Sequence, residues 1–194
     1  MSQHPHVTPS RCHVEPECPQ STPEWRDIPA SSHAISERWL EWLASRDSLT
    51  ERLMAAAGEG RFHVRLLDQY LGQPWPDEAE ALGLAAGQQA WLREVALCVD
   101  EVPWVVARSV APRVSDQQAP FAGLGENSLG SWLFQQPDLR RSPIDISRIS
   151  RPIRGYRGIW QRRSLFCHGG WVMLVQESFL PAMAEALSLD PSPG

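Results

Sequence analysis

Two pairs of alternating segments, each joined by a turn too short for a crossover, commit this chain to antiparallel sheet. Residues 91–99 and 104–112 flank Asp100-Glu101, and residues 159–167 and 171–180 flank His168-Gly169-Gly170. Parallel strands need a connection of a dozen residues or more, whereas a hairpin closes with two to five. Helical signals fall outside these hairpins. Trp39, Leu40 and Leu43 recur at helical spacing within residues 36–43. Ser48-Leu49-Thr50-Glu51 is a capping box opening a helix through Leu53 and Met54 to Gly58, and Ser128 is an N-cap for a helix through Trp132 and Phe134. Phe62, Val64 and Leu66 alternate with His63 and Arg65, so a strand starts at 62; residues 74–89 read as a loop with a short helical segment. Helices interleaved with hairpins predict an α+β domain, a single antiparallel β-sheet with helices packed on it.

The 194 residues suffice for one domain with a real core, and no internal repeat is present. Residues 1–24 are rich in Pro, His and Ser without periodicity and predict a disordered tail. Residues 25–187 form the predicted domain, and residues 188–194, with Pro191 and Pro193, a flexible end. No apolar run approaches the roughly 20 residues of a membrane span. The N-terminus lacks the basic-then-apolar pattern of a secretory signal, so a cytoplasmic protein is expected, and nothing demands more than a monomer.

All 18 basic residues other than histidine are Arg, which removes Schiff-base and P-loop lysine chemistry. Arginines crowd residues 140–163, where Asp145 is the sole acid. With a net charge of −5 and little aromatic interleaving, this reads as a solvated basic face near an anionic ligand rather than a nucleic-acid patch. Cys12 and Cys18 sit among His4, His6 and His13, but their spacing matches no standard zinc pattern, so no metal and no cofactor is expected. Cys98 and Cys167, late in predicted strands, read as small hydrophobes.

The chemistry is expected where charge interrupts apolar strand faces. Arg93 is in register with Trp91, Val95 and Leu97, and Glu177 with Trp171, Met173, Val175 and Phe179. Alternation aims both charges at faces their neighbours bury, and an unpaired buried charge costs several kcal/mol, roughly, so a shared liganded pocket is expected. Arg108, in register with Trp104, Val106 and Val110, is a third such anomaly, either a structural partner or a ligand contact. Ser48-Leu49 and Ser128-Leu129 place a leucine at the first helical position, where unpaired N–H groups receive anions and the side chain adds an apolar wall. Beside a guanidinium, these features describe a site for a carboxylate on a hydrophobic ring.

Trp91-Leu92-Arg93-Glu94-Val95, Pro103-Trp104 with Ala107-Arg108, Ser128 to Phe134, Gly158 to Ser164, and Glu177-Ser178-Phe179-Leu180-Pro181 together resemble the chorismate lyase family. The blocks stand in the family's order between Trp39 and Pro181; each is weakly specific, and the ordered set is strong. The resemblance implies a single antiparallel sheet with packed helices and a cofactor-free lyase that removes pyruvate from chorismate to leave 4-hydroxybenzoate for ubiquinone. It implies that Arg93 grips the ring carboxylate, aided by the N–H groups of Leu49 and Leu129, with Glu177 by the oxygen that becomes the phenol. Met is common in the family where this chain has Leu49, and the tail before Trp25 has no family counterpart. Arg108, Arg162 and Arg163 are unranked candidates for the pyruvyl carboxylate. A buried aromatic product predicts product inhibition, gated by the loops before Leu49 and Leu129. The same fold resembles the effector-binding domains of bacterial transcription regulators, a non-catalytic alternative, but residues 1–35 are too short and Pro-rich for their DNA-binding domain. A module using the Arg-rich segment on an acidic partner or RNA is a further alternative.

Overall fold

The computed structural model describes residues 23–28, 35–113, 121–149 and 151–189. Among them are strands β1 (Arg26–Asp27), β2 (Phe62–Gly72), β3 (Ala90–Val99), β4 (Val102–Pro112), β5 (Arg140–Arg141), β6 (Asp145–Ser147), β7 (Trp160–His168) and β8 (Trp171–Phe179). The helices are α1 (Glu37–Leu43), α2 (Leu49–Ala57), α3 (Pro76–Leu82), α4 (Leu129–Leu133) and α5 (Pro181–Ala186). All strands join one antiparallel sheet in the order β1-β6-β7-β8-β4-β3-β2, with β5 also paired to β7. Both predicted hairpins form, β3–β4 and β7–β8, and they meet side by side where β4 pairs with β8 from Val105↔Phe179 to Val110↔Leu174.

The turns obey their chemistry. A two-residue hairpin loop wants positive φ at both central positions. Gly169 and Gly170 meet this freely at 55° and 84°, whereas Asp100 and Glu101 carry side chains at 46° and 65°. Arg61 forks onto the Asp100 carboxylate and holds the strained turn in place.

Helices pack on both faces. On one, Trp39, Trp42 and Leu43 of α1 and Leu49, Leu53 and Ala57 of α2 cover Val95, Leu97, Val105 and Phe179, and Met183 of α5 joins them. Each such fully buried side chain contributes roughly 1.5–3 kcal/mol. On the same face, Leu129 and Leu133 of α4 pack with Phe121, Phe166, Met173 and Val175. Serine caps start three of the helices of this face, α1, α2 and α4: the hydroxyls of Ser36, Ser48 and Ser128 accept from the N–H groups of Trp39, Glu51 and Ser131. The opposite face carries α3 and Trp75.

Three differences from the sequence-based expectation have local causes. β2 runs on to Gly72 because a bulge at Leu67, between Leu66 and Asp68, breaks the alternation without ending the strand. α5 is too short for a periodic signal, although Pro181 at its first position is a favoured start. At the C-terminal end packing continues past 187: Leu189 is buried and its N–H donates to the Ala184 carbonyl. No described helix is long and apolar enough to cross a membrane. Cys98 is buried, which pushes its thiol pKa up, as befits a small hydrophobe. The Cys12–Cys18–His cluster and the tail before Thr22 lie outside the described residues.

Candidate active site

Strand pairing lays two rows of side chains across the middle of the sheet, beneath α2 and α4. One row is Arg93 on β3, Ser109 on β4, Val175 on β8 and Ser164 on β7. The next is Val95, Ala107, Glu177 and Arg162 on the same four strands. The small side chains of Ala107 and Ser109 leave a trough in the central strand. Over it lies a cavity of about 580 Å³, part of it open to solvent, walled by Leu49, Leu129, Leu133 and Phe166.

The two helix starts meet at its rim. Thr50 Oγ1 and Ser128 Oγ are 2.6 Å apart, so the openings of α2 and α4 are tied together. Gly130 makes the approach feasible: a Cβ there would lie 3.1 Å from Thr50 Oγ1. Leu49 and Leu129, the first residues of their helices, both line the cavity, and N–H groups at that position have no intrahelical partner.

Arg93 is 1% exposed and has no carboxylate partner among the described residues. Its Nη1 donates to Gln69 Oε1 at 3.0 Å, and its Nη2 to the carbonyls of Gly125 at 2.8 Å and Asn127 at 3.1 Å. Nε is buried with no acceptor among the described residues. Burial lowers the pKa of this guanidinium, so the fold carries a desolvated cation that only neutral oxygens compensate.

Glu177 has its cation, and it is not Arg93. Arg162 Nε donates to Glu177 Oε2 at 2.5 Å, while Arg162 Nη1 donates to the carbonyls of Trp42 and Ser45 at 2.6 and 3.0 Å. The opposed charges noticed in the sequence therefore occupy one cavity without pairing to each other. The sequence reading kept Arg162 as a candidate for the pyruvyl carboxylate, whereas β7–β8 pairing sets it on Glu177.

Arg108 and Arg163, two of the three candidates for a second carboxylate, do not line the cavity. Extrapolating the β3–β4 hairpin from its turn would set Arg93 opposite Arg108. A bulge between Cys98↔Pro103 and Leu97↔Val105 shifts the pairing by one residue, and Arg93 lies opposite Ser109 while Arg108 lies opposite Glu94. A one-residue slip reverses the face. On that opposite face Arg108 bridges Glu78, at 2.7 Å, and Glu94, and stacks over Trp75 at 4.0 Å. Burial alone would lower its pKa, but the hydrogen bonds and charges of Glu78 and Glu94 outweigh it and hold the guanidinium above its ordinary value. Arg163 pairs with Asp77 and Asp145 and stacks over Trp25.

The Arg-rich stretch is a solvated basic face only in part, at the exposed Arg140, Arg148, Arg154 and Arg157. Arg151 pairs with Asp77 at 2.7 Å and Arg154 with Asp68 and Glu94, so much of its charge is spent on acids supplied by distant segments. Sequence distance hid those partners.

One cavity arginine escaped the sequence reading. Arg141 donates from Nε to Ser164 Oγ at 3.1 Å and from Nη1 to the Ser45 carbonyl at 3.3 Å, and lies 5.0 Å from the Phe166 ring centre. Burial pushes its pKa down to about 10, opposed by the nearby Glu177 charge. It sits in a two-residue strand with no alternation to mark it. The alternating small residues Ala107 and Ser109 were a legible sign of the trough.

A profile described as "Chorismate lyase" matches residues 25–186. A probable chorismate pyruvate-lyase of Chromohalobacter salexigens is 48% identical over 172 residues, 86% of this chain and 93% of that protein. The chain belongs to the chorismate lyase family. A second chorismate lyase family relative, a probable chorismate pyruvate-lyase of Aromatoleum aromaticum, is 40% identical over 78% of this chain and 89% of its own length. Among solved structures, the effector domain of PhnF from Mycobacterium smegmatis aligns with 71% of this chain and 91% of that chain at 14% identity and a TM-score of 0.46, too loose a likeness to bear on this chorismate lyase family member. The family match begins at Trp25, where the Pro/His-rich segment ends.

Proposed function

We propose that this chain is a chorismate pyruvate-lyase, releasing pyruvate from chorismate and leaving 4-hydroxybenzoate for ubiquinone synthesis. The observation that carries the reading is one apolar-walled cavity with an uncompensated cation, Arg93, on one side and the Glu177–Arg162 pair on the other.

The chemistry asks little of a protein. Chorismate is a cyclohexadiene with a ring carboxylate, a hydroxyl across the ring and an enolpyruvyl ether on the neighbouring carbon. Breaking the ring-carbon-to-ether bond and removing the hydrogen from the hydroxyl-bearing carbon aromatises the ring; that proton ends on the departing enolpyruvyl group as pyruvate. In this reading Arg93 forms charge-assisted hydrogen bonds to the ring carboxylate, its buried Nε among the donors, and the N–H groups of Leu49 and Leu129 complete the grip. Glu177 faces the hydroxyl end, held by Arg162, where it orients the ring and can relay the proton. The trough over Ala107 and Ser109 supplies room, and the leucine walls exclude water. Positioning supplies much of the rate.

Action as a monomer in the cytoplasm completes the proposal. The same enclosure supports slow product release, with the tied starts of α2 and α4 as the gate. Purified protein given chorismate is expected to form equimolar 4-hydroxybenzoate and pyruvate. Unchanged chorismate, or the 3-hydroxy isomer as the product, would overturn the reading. Added 4-hydroxybenzoate is expected to inhibit turnover; full rate at millimolar product would remove the slow-release element.

A further inference from the structure

We propose that Arg141 holds the enolpyruvyl carboxylate and is therefore the residue by which the site distinguishes its substrate from its product. This rests on the lyase reading above and adds a partner for the second anion.

The cavity must hold a dianion, and Arg93 accounts for one carboxylate. Arg108 and Arg163 are ruled out by position, since the sheet stands between them and the cavity. Arg162 lines the cavity, but its Nε is committed to Glu177 and its Nη1 to the Trp42 and Ser45 carbonyls. Arg141 differs from all of these. It lines the cavity, its hydrogen bonds go to a hydroxyl and a backbone carbonyl rather than to a carboxylate, and its Nη2, like that of Arg162, meets no acceptor among the described residues. Phe166 beneath the guanidinium and Ser164 at Nε fix its plane, leaving the free edge to face a ligand.

Its place in the sheet fits the substrate. Arg93 and Arg141 stand at opposite ends of one cross-strand row: Arg93, Ser109, Val175, Ser164, with Arg141 hydrogen-bonded to the last. Three strand spacings of about 4.8 Å separate the β3 and β7 backbones. Glu177 and Arg162 lie two residues further along β8 and β7 and so share the Arg141 end. Arg141 is electrostatically coupled to both, and burial without a carboxylate partner depresses its pKa. The ether projects from the carbon beside the hydroxyl, so a ring with its carboxylate at Arg93 and its hydroxyl at Glu177 directs the enolpyruvyl group toward the Arg141 side. When the bond breaks, pyruvate takes that carboxylate with it, and 4-hydroxybenzoate keeps only the one at Arg93.

The difference in charge between substrate and product gives the test. Arg141→Gln is expected to raise the KM for chorismate about ten- to a hundredfold, the usual range for one charged hydrogen bond, while the Kd of 4-hydroxybenzoate moves less than about threefold. Arg141→Lys is expected to recover part of the loss. Ser164→Ala, which removes only the Nε anchor, is expected to move KM in the same direction by a smaller factor. Thermal unfolding verifies that each variant folds; if Arg141→Gln does not, Ser164→Ala and Arg141→Lys carry the test. Equal losses of chorismate and 4-hydroxybenzoate affinity, or an unchanged KM, would overturn the proposal while leaving the lyase reading intact. Wild-type protein inert toward chorismate would overturn the lyase reading itself, and this proposal with it.

Discussion

The two faces of the central sheet bury arginines in opposite ways. On the α3 face, Arg108 meets Glu78 and Glu94, Arg151 meets Asp77, and Arg163 meets Asp77 and Asp145. On the cavity face Arg162 pairs with Glu177, but Arg93 and Arg141 meet only neutral oxygens among the described residues. The pKa directions agree with this contrast: raised for Arg108, where carboxylates overcome burial, and lowered for Arg93 and Arg141, where burial prevails. A paired arginine holds the fold together. An unpaired one is maintained at a cost to the fold and is satisfied when an anion arrives. The second kind marks the site.

The largest expected effect tests the unpaired side. Arg93→Met and Glu177→Ala are each expected to lower kcat/KM by about a hundredfold or more, measured as 4-hydroxybenzoate formed, because each removes a group placed on the reacting ring. If both retain activity, the site lies elsewhere even though the family is right. The paired side is tested by stability. Arg108→Met is expected to cost about 3–5 kcal/mol in denaturant unfolding, since it strands the fully buried Glu78 and leaves Glu94 with Arg154 alone. A loss below about 1 kcal/mol would erase the contrast between the faces.

Smaller effects sharpen the picture. Gly158→Ala would put a Cβ 2.8 Å from the Phe179 carbonyl oxygen and 2.9 Å from that of Trp160, so backbone must move at the edge of β8. A loss of about 1–3 kcal/mol is expected, read from the shift in unfolding midpoint. Ser128→Ala removes the cap of α4 and its tie to Thr50. About 1 kcal/mol of stability is expected to be lost, together with faster product release in stopped-flow, because that tie closes the rim. At the hairpin tip, Glu101→Gly relieves a side chain at φ 65° and is expected to raise stability by about 1 kcal/mol without touching activity.

Much of the fold was legible because the signals are local: alternation and a turn in each hairpin, and a serine before α1, α2 and α4. The joining of β4 to β8 was not, since pairing two hairpin edges leaves no local mark. Within the site, Arg93 and Glu177 stood out because alternation turns a misplaced charge into a positional statement. Arg108 showed the limit of the same logic. Its alternation with Val106 and Val110 was read correctly, but the bulge at Trp104 moved it to the other face, away from Arg93, and left Trp104 packed with the α1 face instead. Arg141 was invisible because two-residue strands have no period. Arg162 was visible as a residue but not as the partner of Glu177, since their meeting depends on β7–β8 register.

The contrast between paired and unpaired arginines is tested most directly by thermal unfolding of wild type and Arg93→Met, each with and without saturating 4-hydroxybenzoate. Wild type is expected to gain several degrees with the ligand. Arg93→Met is expected to unfold within a few degrees of unliganded wild type and to gain nothing from the ligand. A variant that collapses without ligand would make Arg93 a structural residue like Arg108, and one that keeps the full ligand shift would move the carboxylate site away from Arg93.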